Sequence, residues 1–239
     1  MNKITAFISD DHAILREGLR VLLEASGDIE VVGEAENGHR VVGEVKRLQP
    51  NVVLMDIAMR LLNGVEATRR IAQEAPATRV LILSSYSDDG HVQSAIEAGA
   101  AGYVMKEAAS RDLLQAIRDV AKGNAFFSPP IAGRMLREWH NRDPLSRPTT
   151  LRTLTSRQVE VIQLIAEGYS SKQIAGLLLL SIKTVEKHRQ SIMDKLDIHE
   201  IATLTRYAIA SGVVDSNVTH HRPVVRSNAE RSNVHSRGL

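Results

Sequence analysis

Asn51-Val52-Val53-Leu54-Met55-Asp56-Ile57 decides the fold of this chain. A short apolar run between helical patterns reads as a strand buried in a parallel sheet, and here Asp56 closes it. An earlier run, Ile4 to Ser9, is closed in the same way by the acidic pair Asp10-Asp11. In a doubly wound sheet the C-terminal strand ends gather at one edge, where the functional crevice lies. Three carboxylates brought together there repel one another, and a divalent cation such as Mg²⁺ would relieve the repulsion. Three solvated loop acids are the plainer reading of the same residues.

Working outward, strand-like runs at 4–9, 29–35, 52–55, 79–84 and 102–105 alternate with helical patterns near 13–25, 38–48, 64–74, 89–98 and 110–122. That alternation predicts a parallel five-stranded sheet with helices on both faces. Ser110 is the expected N-cap of the last helix and Gly123 its stop signal. Ser84 closes Val80-Leu81-Ile82-Leu83, and Lys106 closes Gly102-Tyr103-Val104-Met105. The predicted crevice therefore holds Asp10, Asp11, Asp56, Ser84 and Lys106. Acids hold a metal, one carboxylate attacks phosphorus, and the cation and hydroxyl bind the transferred oxygens. A lone Ser or Lys at a strand end reads as a solvated loop residue. Five compatible residues at four strand ends are harder to dismiss.

Asp10-Asp11-His12, Leu54-Met55-Asp56-Ile57 with Gly64, Leu83-Ser84, Ala98-Gly99-Ala100-Ala101-Gly102-Tyr103 and Lys106 together resemble the receiver domain of bacterial two-component response regulators. The resemblance implies a flavodoxin-like receiver with strand order 2-1-3-4-5. It implies that Asp56 accepts a phosphoryl group from a sensor histidine kinase. Asp10, Asp11, Asp56 and the backbone carbonyl of Ala58 would hold Mg²⁺, and Ser84 and Lys106 would contact the phosphoryl oxygens. Tyr103 would be the aromatic whose orientation follows activation; a plain packed aromatic is the alternative. Two departures stand out. Arg60 occupies a position where the family usually has proline, which alters loop stiffness or sets a cation beside the pocket. Ser84 replaces the commoner threonine and keeps its hydroxyl. Ala58 can neither donate nor abstract a proton, so an acyl phosphate on Asp56 should persist, as a signal requires and a phosphatase does not.

Length and charge agree with a second unit. The chain has 239 residues, enough for two modest domains. Residues 1–122 carry 14 Lys/Arg against 18 Asp/Glu, residues 151–239 carry 12 against 8, and the segment between adds a net +2. An acidic module joined to one that meets a polyanion fits this asymmetry. Cysteine is absent, which excludes disulfides and thiolate chemistry. With no apolar stretch of membrane-spanning length and no secretory pattern, no membrane association and a cytoplasmic location are expected.

Four of the seven prolines fall in 123–152 (Pro129, Pro130, Pro144 and Pro148), marking a linker with a helical stretch near 131–141 and a flexible connector from Asn141 to Arg152. Thr155-Ser156-Arg157-Gln158 and Ser170-Ser171-Lys172-Gln173 are capping boxes, each opening a helix. Val159, Ile162, Ile165 and Ala166 supply the first helix's apolar face, and Gly168 stops it. Ser181 caps a third helix, Ile182 to Leu196, on which Val185, Ile192 and Leu196 point inward. A fourth runs from His199 to about Ser211. A short helix, a tight turn and a longer polar helix suggest helix-turn-helix geometry, although the polar face alone reads as solvated. Leu154-Thr155-Ser156-Arg157, Ile165-Ala166-Glu167-Gly168, Lys172-Gln173-Ile174-Ala175 and Ser181 through His188 resemble the DNA-binding domain of the NarL/LuxR (FixJ) family. By that resemblance the third helix enters the major groove of double-stranded DNA. Glu186, Lys187 and Gln190 then fall where base edges are read, and Lys172, Lys183, Thr184 and Arg189 where phosphates are met. Residues 214–239, rich in Ser, Asn, His and Arg, are expected to be disordered.

The expected architecture is thus a receiver over 1–122, a linker over 123–152, an all-α helix-turn-helix domain over 153–213 and a tail. The expected function is phosphorylation-controlled transcriptional regulation by a protein that dimerises when phosphorylated. A constitutive DNA binder with a scaffold receiver, and a small phosphatase, are the rival readings.

Overall fold

The computed structural model describes residues 3–86, 89–141 and 154–214. The expected connector after Asn141 and the expected disordered tail after Val214 lie outside them.

The N-terminal unit alternates strand and helix: β1 (Ile4–Ser9), α1 (Ala13–Ala25), β2 (Ile29–Ala35), α2 (Gly38–Leu48), β3 (Val52–Met55), α3 (Gly64–Glu74), β4 (Arg79–Ser84), α4 (Asp89–Glu97), β5 (Gly102–Met105) and α5 (Ser110–Ala121). All ladders are parallel, in the order β2-β1-β3-β4-β5, with β6 (Phe126–Phe127) beyond β5. The deciding run is apolar throughout because both faces of β3 are covered. Val53 and Met55 face the layer of α2, α3 and α4, with Val41, Val45, Ala67, Ile71 and Val92. Val52 and Leu54 face α1 and α5, with Leu19, Leu23, Leu113, Ile117 and Val120.

Two expectations need correction. The sheet has six strands, since Phe126–Phe127 forms β6 beside β5. Two residues are too few to show a period in sequence. Ser110 does not cap α5; it is the first helical residue, and Ala109 takes the cap position without a side-chain hydrogen bond. After β6, α6 runs over Pro129–Asn141, two residues longer at its start than expected, with proline in the first turn where no amide partner is lost.

The C-terminal unit is a four-helix cluster: α7 (Ser156–Ala166), α8 (Ser171–Leu178), α9 (Ile182–Leu196) and α10 (Ile201–Ala210). Both capping boxes form, Thr155 with Gln158 and Ser170 with Gln173. Ser181 caps α9 by accepting from the Thr184 amide. Leu179 closes α8 at a left-handed φ of 54°, turning the chain into α9 within three residues. Val161, Ile162, Leu164, Ile174, Val185, Ile192 and Leu204 fill the core. The expected apolar face of α7 was partly misplaced: Val161 and Leu164 are wholly buried, whereas Val159 and Ile165 are only partly so. Among the described residues no helix is long and apolar enough to cross a membrane.

Candidate functional site

Register carries Asp10, Asp56, Ser84 and Lys106 to one edge of the sheet. Ser9 pairs with Met55, Met55 with Ile82 and Ser84 with Met105, so the residues just past β1, β3 and β5 stand side by side. The Asp56 amide donates to the Ser9 carbonyl at 2.8 Å and the Lys106 amide to the Ser84 carbonyl at 3.0 Å, which extends the ladder into the site. Asp10 and Asp56 are nearly inaccessible, at 1% and 3% exposure. Gly64, opening α3, is required by close approach: a Cβ there would stand 1.9 Å from the Asp56 carbonyl oxygen.

Oxygens of Asp10, Asp11 and Asp56, with a ring nitrogen of His12, all lie within 4.8 Å of one another. Lys106 bridges two of these carboxylates, its Nζ 2.7 Å from Asp10 Oδ2 and 3.2 Å from Asp56 Oδ1. Burial pushes the Asp56 carboxyl up to about 6, against the pull of the Lys106 ammonium. Asp56 therefore still ionises at neutral pH. Asp11 is also raised, by burial. Burial works against the Lys106 charge, yet Asp56 and Asp10 outweigh it and Lys106 is held above its ordinary value.

Asp11 Oδ1 tests whether a cation suits the cluster. His12 Nδ1 stands 2.8 Å away but is not aligned to donate, so this buried oxygen has no hydrogen-bond donor among the described residues. An orphaned carboxylate oxygen among three clustered acids is the donor set of a hard divalent cation. Arg60, 3.9 Å from Asp11 Oδ2, sets a half-exposed cation at the rim.

Ser84 and Tyr103, the expected switch residues, are joined through the Tyr86 backbone. Ser84 Oγ accepts from the Tyr86 amide at 3.0 Å, and Tyr103 Oη donates to the Tyr86 carbonyl at 2.5 Å. Tyr103 is wholly buried. The Tyr86 ring stacks on His91, centroids 4.7 Å apart.

On the C-terminal unit, α9 presents Lys183, Glu186, Lys187 and Gln190 exposed along one side, with Thr184 and Arg189 half-buried at its edge. Lys172 is exposed on α8. Gln190 donates to Asp194 at 2.8 Å and Arg189 lies 3.8 Å from Glu186, so both are held along the helix.

Sequence reasoning missed the surface where the two units meet. Gln163 Nε2 donates to the Met59 carbonyl at 2.9 Å while its Oε1 accepts from the Asn63 amide at 2.9 Å. Glu167 Oε1 accepts from the Leu61 amide at 3.1 Å and from Gln163 at 2.8 Å. Glu160, 1% exposed, is paired with Arg70 of α3 and with Arg157 of its own unit, the latter at 2.8 Å. At the far end of this surface Gly212 lies against the His91 ring, where a Cβ would stand 1.6 Å from Nε2. The available signal was the stripe Glu160-Gln163-Glu167, spaced by three and four residues on one helix face.

This geometry defines a class: a parallel α/β receiver with an acidic pocket, joined to a helix-turn-helix unit. Comparison with known proteins agrees. The response regulator receiver domain family matches residues 6–118, and the luxR family of bacterial regulatory proteins matches residues 152–208. The chain is 35% identical to the transcriptional regulatory protein DegU of Brevibacillus brevis over 226 residues, covering 89% of this chain and 96% of that one. It is 36% identical to the transcriptional regulatory protein LiaR of Bacillus subtilis (strain 168) over 212 residues, covering 89% and 100%. A structure of the Salmonella typhimurium RcsB response regulator aligns with a TM-score of 0.61 at 27% identity, covering 88% of this chain and 99% of that one. An RcsB–DNA complex aligns at 0.54 with 27% identity and the same coverage. The chain belongs to the response regulators of the NarL/LuxR type, DNA-binding transcriptional regulators under phosphorylation control.

Proposed function

We propose that Asp56 is the phosphoacceptor of this regulator and that its charge state governs DNA binding through α9. One observation carries the reading: a buried, ionisable carboxylate at a strand end, bridged by Lys106 and flanked by two further acids. An Asp56 Oδ attacks the phosphorus of the donor, a phosphohistidine of a sensor kinase, and the P–N bond breaks as the histidine leaves. Lys106 moves from the carboxylates to the incoming phosphoryl oxygens, and the Ser84 hydroxyl binds another of them. Asp10, Asp11, Asp56 and the Ala58 carbonyl would hold Mg²⁺, which when bound supplies charge neutralisation for the transfer. Ser84 shares Tyr86 with Tyr103, so a hydroxyl drawn to phosphate frees the Tyr86 amide and permits Tyr103 to reorient. Ala58 offers no acid or base near the acyl phosphate, which supports a lasting signal over phosphatase turnover.

On DNA, Glu186, Lys187 and Gln190 read base edges, and Lys172, Lys183, Thr184 and Arg189 meet phosphates. RcsB has been seen as dimers bound to DNA, which supports a dimer of this chain reading paired half-sites. A cytoplasmic setting fits a partner kinase and a DNA target. Acetyl phosphate and Mg²⁺ test the site. Mass spectrometry should place one phosphoryl group on Asp56 of the full chain and none on the Asp56→Asn variant. Equal uptake by the variant would refute the assignment.

A further inference from the structure

Six large apolar side chains are exposed among the described residues, and three of them, Leu177, Leu179 and Ile182, fall within six residues around the turn between α8 and α9. Their neighbours follow the ordinary pattern: Leu178 and Val185 are buried, and Leu180 packs against the same core. Leu179 breaks two local rules at once. It is 93% exposed, and it stands at a left-handed φ of 54°, because the turn closes by a hydrogen bond from the Leu180 amide to the Ala175 carbonyl at 2.9 Å. That closure favours glycine or asparagine at the left-handed residue, and a branched apolar side chain there is strained. Two further helices that end in this conformation use polar residues, Gln49 and Asp197. Ile182 is 50% exposed at the first position of α9, and the Ser181 cap engages the Thr184 amide without it. Residues that contradict local preference, with no compensating contact inside the fold, mark a functional surface.

Their place says what covers them. Ile182 stands one turn before Glu186 and adjoins the exposed Lys183, so it continues the face formed by Lys183, Glu186, Lys187 and Gln190. In helix-turn-helix proteins the N-terminal residues of the recognition helix meet base edges. Of the groups that base edges present in the major groove, one is apolar, the C5-methyl of thymine.

We propose that Ile182, assisted by Leu179 from the turn, is a specificity-determining residue that selects thymine by burying its C5-methyl group. This rests on the assignment of α9 as the reading helix and deepens it.

Position then fixes where thymine falls. Ile182 precedes Glu186 by about 6 Å along the helix, or roughly two base-pair steps. Thymine is therefore selected within about two base pairs of the base that Glu186 meets, at the end of the half-site that the N-terminus of α9 faces. The selection uses no hydrogen bond, so it adds to the polar readout by Lys187 and Gln190 without competing for its partners.

The test uses the full chain with acetyl phosphate and Mg²⁺, and the duplex it selects from a random pool. Thymines of that duplex are replaced singly by deoxyuridine, which lacks the methyl group and keeps the base pair. Affinity is read by fluorescence anisotropy at one salt concentration. For the parent, replacement near the predicted position should weaken binding about fourfold, the effect of exposing one buried methyl group. For Ile182→Ala the same replacement should leave affinity unchanged. Leu179→Gly should raise the urea midpoint by relieving the left-handed strain, yet bind the thymine duplex more weakly; a merely structural residue would not move these two readouts in opposite directions. A selected half-site without thymine there, a parent indifferent to every deoxyuridine, an Ile182→Ala variant that discriminates as the parent does, or a Leu179→Gly variant with parental affinity overturns the proposal. So does an Ile182→Ala variant that binds DNA as the parent does but no longer regulates transcription from it, since the patch then serves a protein partner. If Lys187→Ala and Gln190→Ala also bind every duplex as the parent does, the assignment of α9 itself fails and the proposal with it.

Discussion

Replacement of Glu167 by glutamine should tighten docking of the two units at neutral and alkaline pH and remove the part of its pH dependence that this carboxylate carries. The carboxylate is 9% exposed, and burial pushes it up to about 7 from an ordinary 4.5, against hydrogen bonds from Gln163 and Leu61 that favour its charge. A carboxyl raised by docking favours the docked state when protonated. Its contribution is complete below the ordinary value, falls as pH rises, and is fully lost above about 7. The difference corresponds to about 3 kcal/mol, or roughly a hundredfold in the docking equilibrium. Glutamine keeps an oxygen to accept from Leu61 and Gln163 and carries no charge to desolvate. His39, held below its ordinary value by burial and 3.9 Å from Glu160, acts in the opposite sense at acid pH in both proteins, so the comparison isolates position 167. Small-angle scattering between pH 5 and 8 is the assay. The parent should open as pH rises through neutrality and the variant should not; parallel pH profiles for the two would refute the reasoning.

Three further outcomes follow from named contacts. Lys106→Ala removes the ammonium shared by Asp10 and Asp56, so phosphate uptake from acetyl phosphate should fall about a hundredfold in a protein that still melts cooperatively. Gly64→Ala drives a Cβ into the Asp56 carbonyl and should cost about 1–3 kcal/mol, read as a lower urea midpoint. Lys183→Ala should weaken DNA binding about equally for all sequences and lower the salt slope by about one, while Gln190→Ala should relax preference at one base pair, both measured by fluorescence anisotropy across a salt series.

What could be read from sequence was whatever one element decides alone. Val52 to Met55 announced a buried strand because both its faces are covered, and Asp10, Asp56 and Lys106 followed because strand ends in a parallel sheet share an edge. Thr155, Ser170 and Ser181 were legible because capping is settled within one turn. Phe126–Phe127 was not, since two residues show no period and their pairing with β5 depends on the return of the chain past Gly123. Ser110 failed as a cap because the helix begins one residue earlier than its side chain suggests. Glu160, Gln163 and Glu167 share one face of α7 and are buried. Their burial comes from a surface about a hundred residues away in sequence, and no local pattern carries that information.

The most direct test of phosphorylation control is DNA affinity at one fixed salt concentration, for the parent and the Asp56→Asn variant, each with and without acetyl phosphate and Mg²⁺. A donor-dependent gain in affinity for the parent, absent from the variant, is the predicted result. Equal affinity in all four conditions, or an equal gain in both proteins, would contradict it.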